Sequence, residues 1–304
     1  MTTYHPAYLK LLESGELENR VHDAKPHLDA CDVCPLLCGV NRTAGELGIC
    51  ETGEKVQVSS HFAHHGEEHP ISGYSGSGTI FFTHCNLRCV YCQNADISQL
   101  SSGIEFNAEG LAGIMLSLQR MGCHNINLVS PSHVIPQILE AVYIAARKGL
   151  RLPLVYNTGG YDSLEMLTLL DGVVDIYMPD MKYSDEAIAR KYSLTKNYPE
   201  INQKAVLEMH RQVGNLITDE NGIAVRGLLV RHLVLPNDLA GSGAILRFLA
   251  EKVSKNIYLN IMAQYHPVFQ AAKYPELNRM ITPQEYQRVL KMARDLDLIR
   301  LDIV

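Results

Sequence analysis

The chain has 304 residues, 46% apolar and 20% charged, the balance of an ordinary globular protein with room for one large α/β domain and a small appendage. Its formal net charge of −6 argues against a nucleic-acid or anionic-membrane surface. No apolar run is long enough to span a bilayer, and the opening Met1-Thr2-Thr3-Tyr4-His5-Pro6 lacks a signal-peptide core, so the chain reads as cytoplasmic, with neither nucleic acid nor membrane as partner.

Along the chain, residues 1–75 read as an N-terminal extension. It holds a helix over 8–17, a cysteine-rich stretch over 31–50 and largely irregular Gly/His/Ser-rich chain with one short strand over 55–59. From residue 76 to 270, short apolar strands alternate with amphipathic helices. Strands are predicted over 78–83, 125–129, 153–157, 176–178, 228–235 and 257–262. Helices are predicted between them: 107–121 capped by Asn107, 135–147 closed by Gly149, 164–170 capped by Ser163, 185–192 capped by Ser184, then 199–213 and 244–253. The turn at Asp219-Glu220-Asn221-Gly222 interrupts this rhythm with a short antiparallel pair. Residues 271–304 read as a C-terminal helical extension, with a capping box at Thr282-Pro283-Gln284-Glu285. Six strand–helix units imply a parallel sheet with right-handed crossovers, too few to close an eight-stranded barrel. The fold class is therefore α/β, a partial (β/α)6 barrel whose functional residues collect at the C-terminal strand ends.

Eight cysteines are present, seven of them in two short-spaced groups that point to metal in a reducing compartment. One group directly follows the first barrel strand: Cys85-Asn86-Leu87-Arg88-Cys89-Val90-Tyr91-Cys92. Its three thiols have no near fourth. Thiolates are the usual ligands of iron–sulfur clusters, and three of them leave one iron of a four-iron cube open; a zinc site would need a fourth ligand, and three core cysteines are the bland alternative. The other group, Cys31, Cys34, Cys38 and Cys50, supplies four thiolates and suits either structural zinc or an auxiliary iron–sulfur cluster, as a staple for a segment too small to have its own core.

The run from Phe81 to Asn94 resembles the signature of the radical S-adenosylmethionine (SAM) superfamily. Within it the chain is similar to the pyruvate formate-lyase activating enzymes and their less characterised relatives. That resemblance implies a [4Fe–4S] cluster on Cys85, Cys89 and Cys92, SAM on its open iron, and reductive cleavage of SAM to a 5′-deoxyadenosyl radical that abstracts hydrogen. It implies a flavodoxin- or ferredoxin-like electron donor and a glycyl radical enzyme as the protein substrate. Tyr91 is then expected over the cluster and adenine. Where the family carries Gly-Gly-Glu, this chain has Ser130-Pro131-Ser132, so Ser130 and Ser132 are the candidates for the SAM amino group, or else caps for the next helix. Asn157 resembles the polar strand end near the SAM ribose. Met178-Pro179-Asp180-Met181-Lys182 resembles the family's Met-x-Asp-x-Lys, which implies cofactor roles for Met178 and Asp180 and places Asp180 and Lys182 in the active site. Arg231 resembles the arginine that meets the SAM carboxylate, and His266 is a candidate SAM contact.

His61, His64, His65 and His69, with Glu67 and Glu68 among them, fit no defensible metal spacing and read as a solvated loop. Cys123 reads as a small core residue. Two other functional readings stand beside glycyl-radical activation: a radical SAM enzyme acting on a small molecule or peptide, and a non-enzymatic iron–sulfur or zinc module.

Overall fold

The computed structural model describes residues 4–100 and 103–302. Its strands are β1 (Val56–His64), β2 (Ser77–Phe82), β3 (Ile104–Phe106), β4 (Ile126–Val129), β5 (Leu154–Thr158), β6 (Ile176–Pro179), β7 (Ile217–Thr218), β8 (Ala224–Leu233), β9 (Tyr258–Met262) and β10 (Leu301–Asp302). They form one open sheet in the order β10-β9-β8-β6-β5-β4-β2-β1-β3, with β7 paired to β8 beside it. All six predicted barrel strands are present and run parallel, from β2 through β9. A two-residue seventh parallel strand, β10, follows the last helix and pairs with β9. Phe81 of β2 and Met262 of β9 line the same cavity although four strands of the order separate them, so the sheet curls into a partial barrel.

The strands are nearly fully buried because helices cover their outer face, as an all-parallel sheet requires. Leu111, Met115 and Leu118 of the helix Ala108–Arg120 and Ile138, Leu139 and Val142 of Ile135–Arg147 pack in one core with Ile80, Ile126 and Leu128. Asn107 caps its helix as predicted, accepting from the Gly110 N–H. Thr282 and Glu285 form the predicted capping box. Two predicted caps are corrected: Ser163 makes no capping bond, and Asp185, not Ser184, caps the helix Glu186–Ser193 by accepting from the Ile188 N–H. Asp outcompetes Ser here because its carboxylate also meets the positive end of the helix dipole.

The N-terminal segment differs most from expectation. Its one predicted helix is broken at Gly15, whose φ of +79° only glycine adopts cheaply, into Tyr8–Ser14 and Glu16–Ala24. Tyr8, Leu17, Val21 and Ala24 join the main barrel core rather than forming a unit of their own. The short strand expected over 55–59 is the nine-residue β1, antiparallel to β2, so the histidine-rich stretch starts on the sheet and not in a solvated loop.

Gly160 shows how tightly the strand ends are built. It has φ +75°, and a Cβ there would lie 2.1 Å from Asn202 Nδ2 and 2.3 Å from the Asp180 carbonyl oxygen. Gly160→Ala is expected to cost about 2–4 kcal/mol, combining left-handed strain with a backbone clash, as read from urea unfolding.

Candidate active site

At the C-terminal strand ends lies a cavity of about 390 Å³ whose lining includes Cys85, Cys89, Cys92, Tyr91, Asn157, Asp180, Lys182 and Arg231. Six elements of a parallel barrel therefore deliver their polar residues to one mouth. The three sulfurs each face one donor. Cys85 Sγ accepts from the Leu87 N–H at 3.4 Å, and Cys89 Sγ and Cys92 Sγ pair with the hydroxyls of Ser193 at 2.9 Å and Ser98 at 3.2 Å. On a thiolate both serines donate. Burial pushes the free Cys85 thiol up to about 12 and Cys89 up to about 11, so a cationic centre is what would hold them as thiolates. The donor set fits such a centre: three soft ligands in one loop, one hydrogen bond to each, and open space in front. Among the described residues these three sulfurs do not all lie within 4.8 Å of one another, whereas a single tetrahedral zinc would hold each pair at about 3.8 Å.

Arg231 is the electrostatic hub. Its Nε donates to Asp180 Oδ1 at 2.9 Å and its Nη2 to Asn157 Oδ1 at 2.8 Å, while Nη1 lies 3.5 Å from Glu67 Oε2. Lys182 Nζ donates to the other Asp180 oxygen at 2.5 Å. Strand alternation puts Asp180 and Lys182 on one side. Burial alone would raise the Asp180 carboxyl, but Arg231 and Lys182 hold it below its ordinary value. Burial alone would depress Lys182, but Asp180 keeps its ammonium at about 12. Both are therefore charged.

Glu67 and Glu68 are corrections to the sequence reading. Glu68 is buried and Glu67 half-buried, and both turn inward after β1. Asn157 Nδ2 donates to Glu67 Oε1 at 3.3 Å and Asn260 Nδ2 to Glu68 Oε1 at 2.9 Å. Burial pushes the Glu67 carboxyl up to about 7, opposed by Arg231 and reinforced by Glu68. Glu68 Oε2 is buried without a partner. A second cavity of about 610 Å³ shares Glu67 and Arg231 with the first and is also lined by Glu68, His65, His69 and Asp302. The signal available in the sequence was two adjacent carboxylates just after a strand paired to the cluster-bearing strand.

Other predicted residues divide. Tyr91 lines the cavity, its hydroxyl donating to Tyr183 at 2.6 Å. Ser130 lines it too, with a φ of +59°. Ser132 is turned away: its hydroxyl pairs with Thr158 at 2.9 Å, in a buried group with Asp162, and it does not cap the next helix. The Met178 side chain is buried below the cavity with Ile71, Val155 and Ile176. His266 is exposed and pairs with its neighbour's Gln264 carbonyl, outside the cavity lining. Two supports were missed, Tyr198 and Asn202. Tyr198 donates to the Gly159 carbonyl and Asn202 to those of Gly160 and Asp180, fixing both strand ends from one helix.

The fold is the open barrel of the radical SAM type. Among solved structures, the FeFe-hydrogenase maturase HydG from Carboxydothermus hydrogenoformans superposes with a TM-score of 0.50 at 12% identity, covering 72% of this chain. This chain matches 50% of that maturase's length, and the likeness is one of fold. Methylornithine synthase (PylB) aligns over 96% of this chain and 73% of its own at a TM-score of 0.48 and 14% identity. No protein-family model matches. The chain belongs to the family of the uncharacterized protein MJ0674 of Methanocaldococcus jannaschii, to which it is 33% identical over 301 residues, 96% of this chain and 82% of the relative. No helix among the described residues is long and apolar enough to cross a membrane.

Removing the shared anion tests the hub. Asp180→Asn leaves two buried cations short of a partner and is expected to cost on the order of 3 kcal/mol in thermal or urea unfolding. Lys182 should then titrate lower, because burial and Arg231 still act against its charge while its Asp180 partner is gone, and amine labelling against pH reads that shift.

Proposed function

We propose that this chain is a radical SAM enzyme. The observation that carries the reading is three hydrogen-bonded cysteine sulfurs lining one cavity together with the Arg231–Asp180–Lys182–Glu67 group. Cys85, Cys89 and Cys92 would hold a [4Fe–4S] cluster, and the cavity in front would take SAM. Bound together, these two groups would supply reductive cleavage of SAM and, through it, hydrogen abstraction from a substrate.

The chain's own residues supply binding, orientation and exclusion of water. Leu87 N–H, Ser193 and Ser98 spread the negative charge of the three sulfurs. Arg231 offers a planar fork to the methionine carboxylate. Glu67 takes the place of the missing Gly-Gly-Glu carboxylate and accepts from the SAM ammonium; it comes from the chain after β1 instead of from the end of β4. Tyr91, pinned by Tyr183, forms an apolar wall. Lys182, held charged by Asp180, faces the region where the substrate would sit.

The activation of a glycyl radical enzyme, with a flavodoxin- or ferredoxin-like donor, rests on the sequence likeness alone, at Phe81–Asn94 and the later motifs such as Met178–Lys182. The second cavity favours the other reading, a small molecule or peptide entering beside SAM. Its lining of Glu68, Asp302, His65 and His69 suits a substrate bearing a positive charge.

Anaerobic incubation with SAM and a strong reductant should release 5′-deoxyadenosine, and Cys89→Ala should abolish it. A fully loaded wild-type protein that makes none, and a Cys89→Ala variant that makes as much, would each sink the proposal.

SAM affinity carries a second check. Glu67 becomes charged as pH rises through about 7, facing Arg231 and Glu68. Binding measured by equilibrium dialysis should therefore tighten across that range, and Glu67→Gln should flatten the step and weaken binding about tenfold at high pH. In the protein without ligand the sign is opposite, since a raised carboxyl pKa lowers stability as pH climbs from the ordinary carboxylate range through about 7.

A further inference from the structure

Arg42 is fully buried. Its Nε donates to the Gly53 carbonyl at 2.8 Å, and its Nη1 to the His133 carbonyl at 2.8 Å and toward Cys31 Sγ at 3.8 Å. Its Nη2 is buried with no partner, and among the described residues no carboxylate lies within ion-pair distance of the guanidinium. Arginine does not shed its proton in a protein, and a buried cation without a counter-charge is costly. The group facing it is Cys31, Cys34, Cys38 and Cys50, of which three are buried and Cys38 is half-buried. As four neutral thiols they leave Arg42 unbalanced. As a metal–tetrathiolate anion they balance it.

The local backbone is shaped for such an anion. Gly48 sits between two of the ligands: a Cβ there would lie 3.3 Å from Cys50 Sγ and 3.4 Å from Cys38 Sγ. Among the described residues no three of the four sulfurs come within 4.8 Å of one another. A single zinc ion would draw them to about 3.8 Å, the tetrahedral edge for Zn–S bonds of about 2.3 Å. A four-iron cube keeps its thiolates farther apart.

We propose that Cys31, Cys34, Cys38 and Cys50 bind a second [4Fe–4S] cluster, fully ligated by cysteine and charge-balanced by Arg42. Its pocket is tied to the cavity loop at two points. Arg88, between Cys85 and Cys89, donates to the Ile49 carbonyl at 2.9 Å and to Glu51 at 3.0 Å. His133, whose carbonyl accepts from Arg42, contacts the Thr83 carbonyl at 3.2 Å through its ring.

The test is iron, sulfide and zinc content with Mössbauer spectra of anaerobically reconstituted full-length protein. Wild type should carry about eight iron and eight sulfide per chain, two four-iron cubes. A variant with Cys85→Ala, Cys89→Ala and Cys92→Ala should keep about four of each, as a cluster whose spectrum SAM does not perturb. Cys34→Ala with Cys50→Ala should lose the same share, and Arg42→Gln should lower the iron retained on gel filtration while Arg42→Lys restores it. One equivalent of zinc and no iron in the triple variant would overturn the proposal, as would an undiminished iron count in the Cys34/Cys50 variant. A wild-type iron count equal to that of the triple variant would remove the cavity cluster and leave this one standing.

Discussion

Arg231 holds the barrel mouth together. One guanidinium spans β8 to Asp180 at the end of β6, to Asn157 on β5 and to Glu67 beyond β1. The backbone repeats the tie, since Met181 N–H donates to the Arg231 carbonyl. Three carboxylates and two cations are packed into a poorly solvated space, where each charge is tolerable only because the others are present. Such a group is rigid before any ligand arrives, and it presents both signs of charge at short range. An amino acid headgroup carries the same two signs, and the proposed binding of SAM follows from that match.

Around this hub the protein places two sets of cysteines under different constraints. The cavity sulfurs are held by one loop and face open space. The front sulfurs lie along one stretch of chain, three of them buried, and Cys31 abuts the buried Arg42 guanidinium. The first arrangement leaves a side free for a ligand; the second is enclosed. Arg88 and Arg42 span the two regions, so the chain's N-terminal segment braces the loop on which the proposed chemistry depends.

Residues 4–28 share the barrel's core, and β1 extends its sheet. The same stretch sends Glu67 and Glu68 inward, where they complete the charge group of the mouth. Its contribution is thus to the site as much as to stability.

The amino-acid order alone determined the features that are local. Three cysteines within eight residues share a loop whatever surrounds them, and short apolar runs separated by amphipathic segments make parallel strands with covering helices. Strand alternation likewise set Asp180 and Lys182 on one face, and the polar residues ending β5 and β8 reached the mouth as the strand ends predicted. What depends on the direction of a side chain after a turn, or on a partner far along the chain, only the tertiary structure decided. The backbone turn at Ser130 sends Ser132 away from the cavity. Glu67 enters it from a stretch that reads as a polar loop, because its burial depends on Arg231, 164 positions later. Ser193 meets the Cys89 sulfur from 104 positions away through packing that no short spacing encodes, since hydrogen bonds in a core are set by what is adjacent in space.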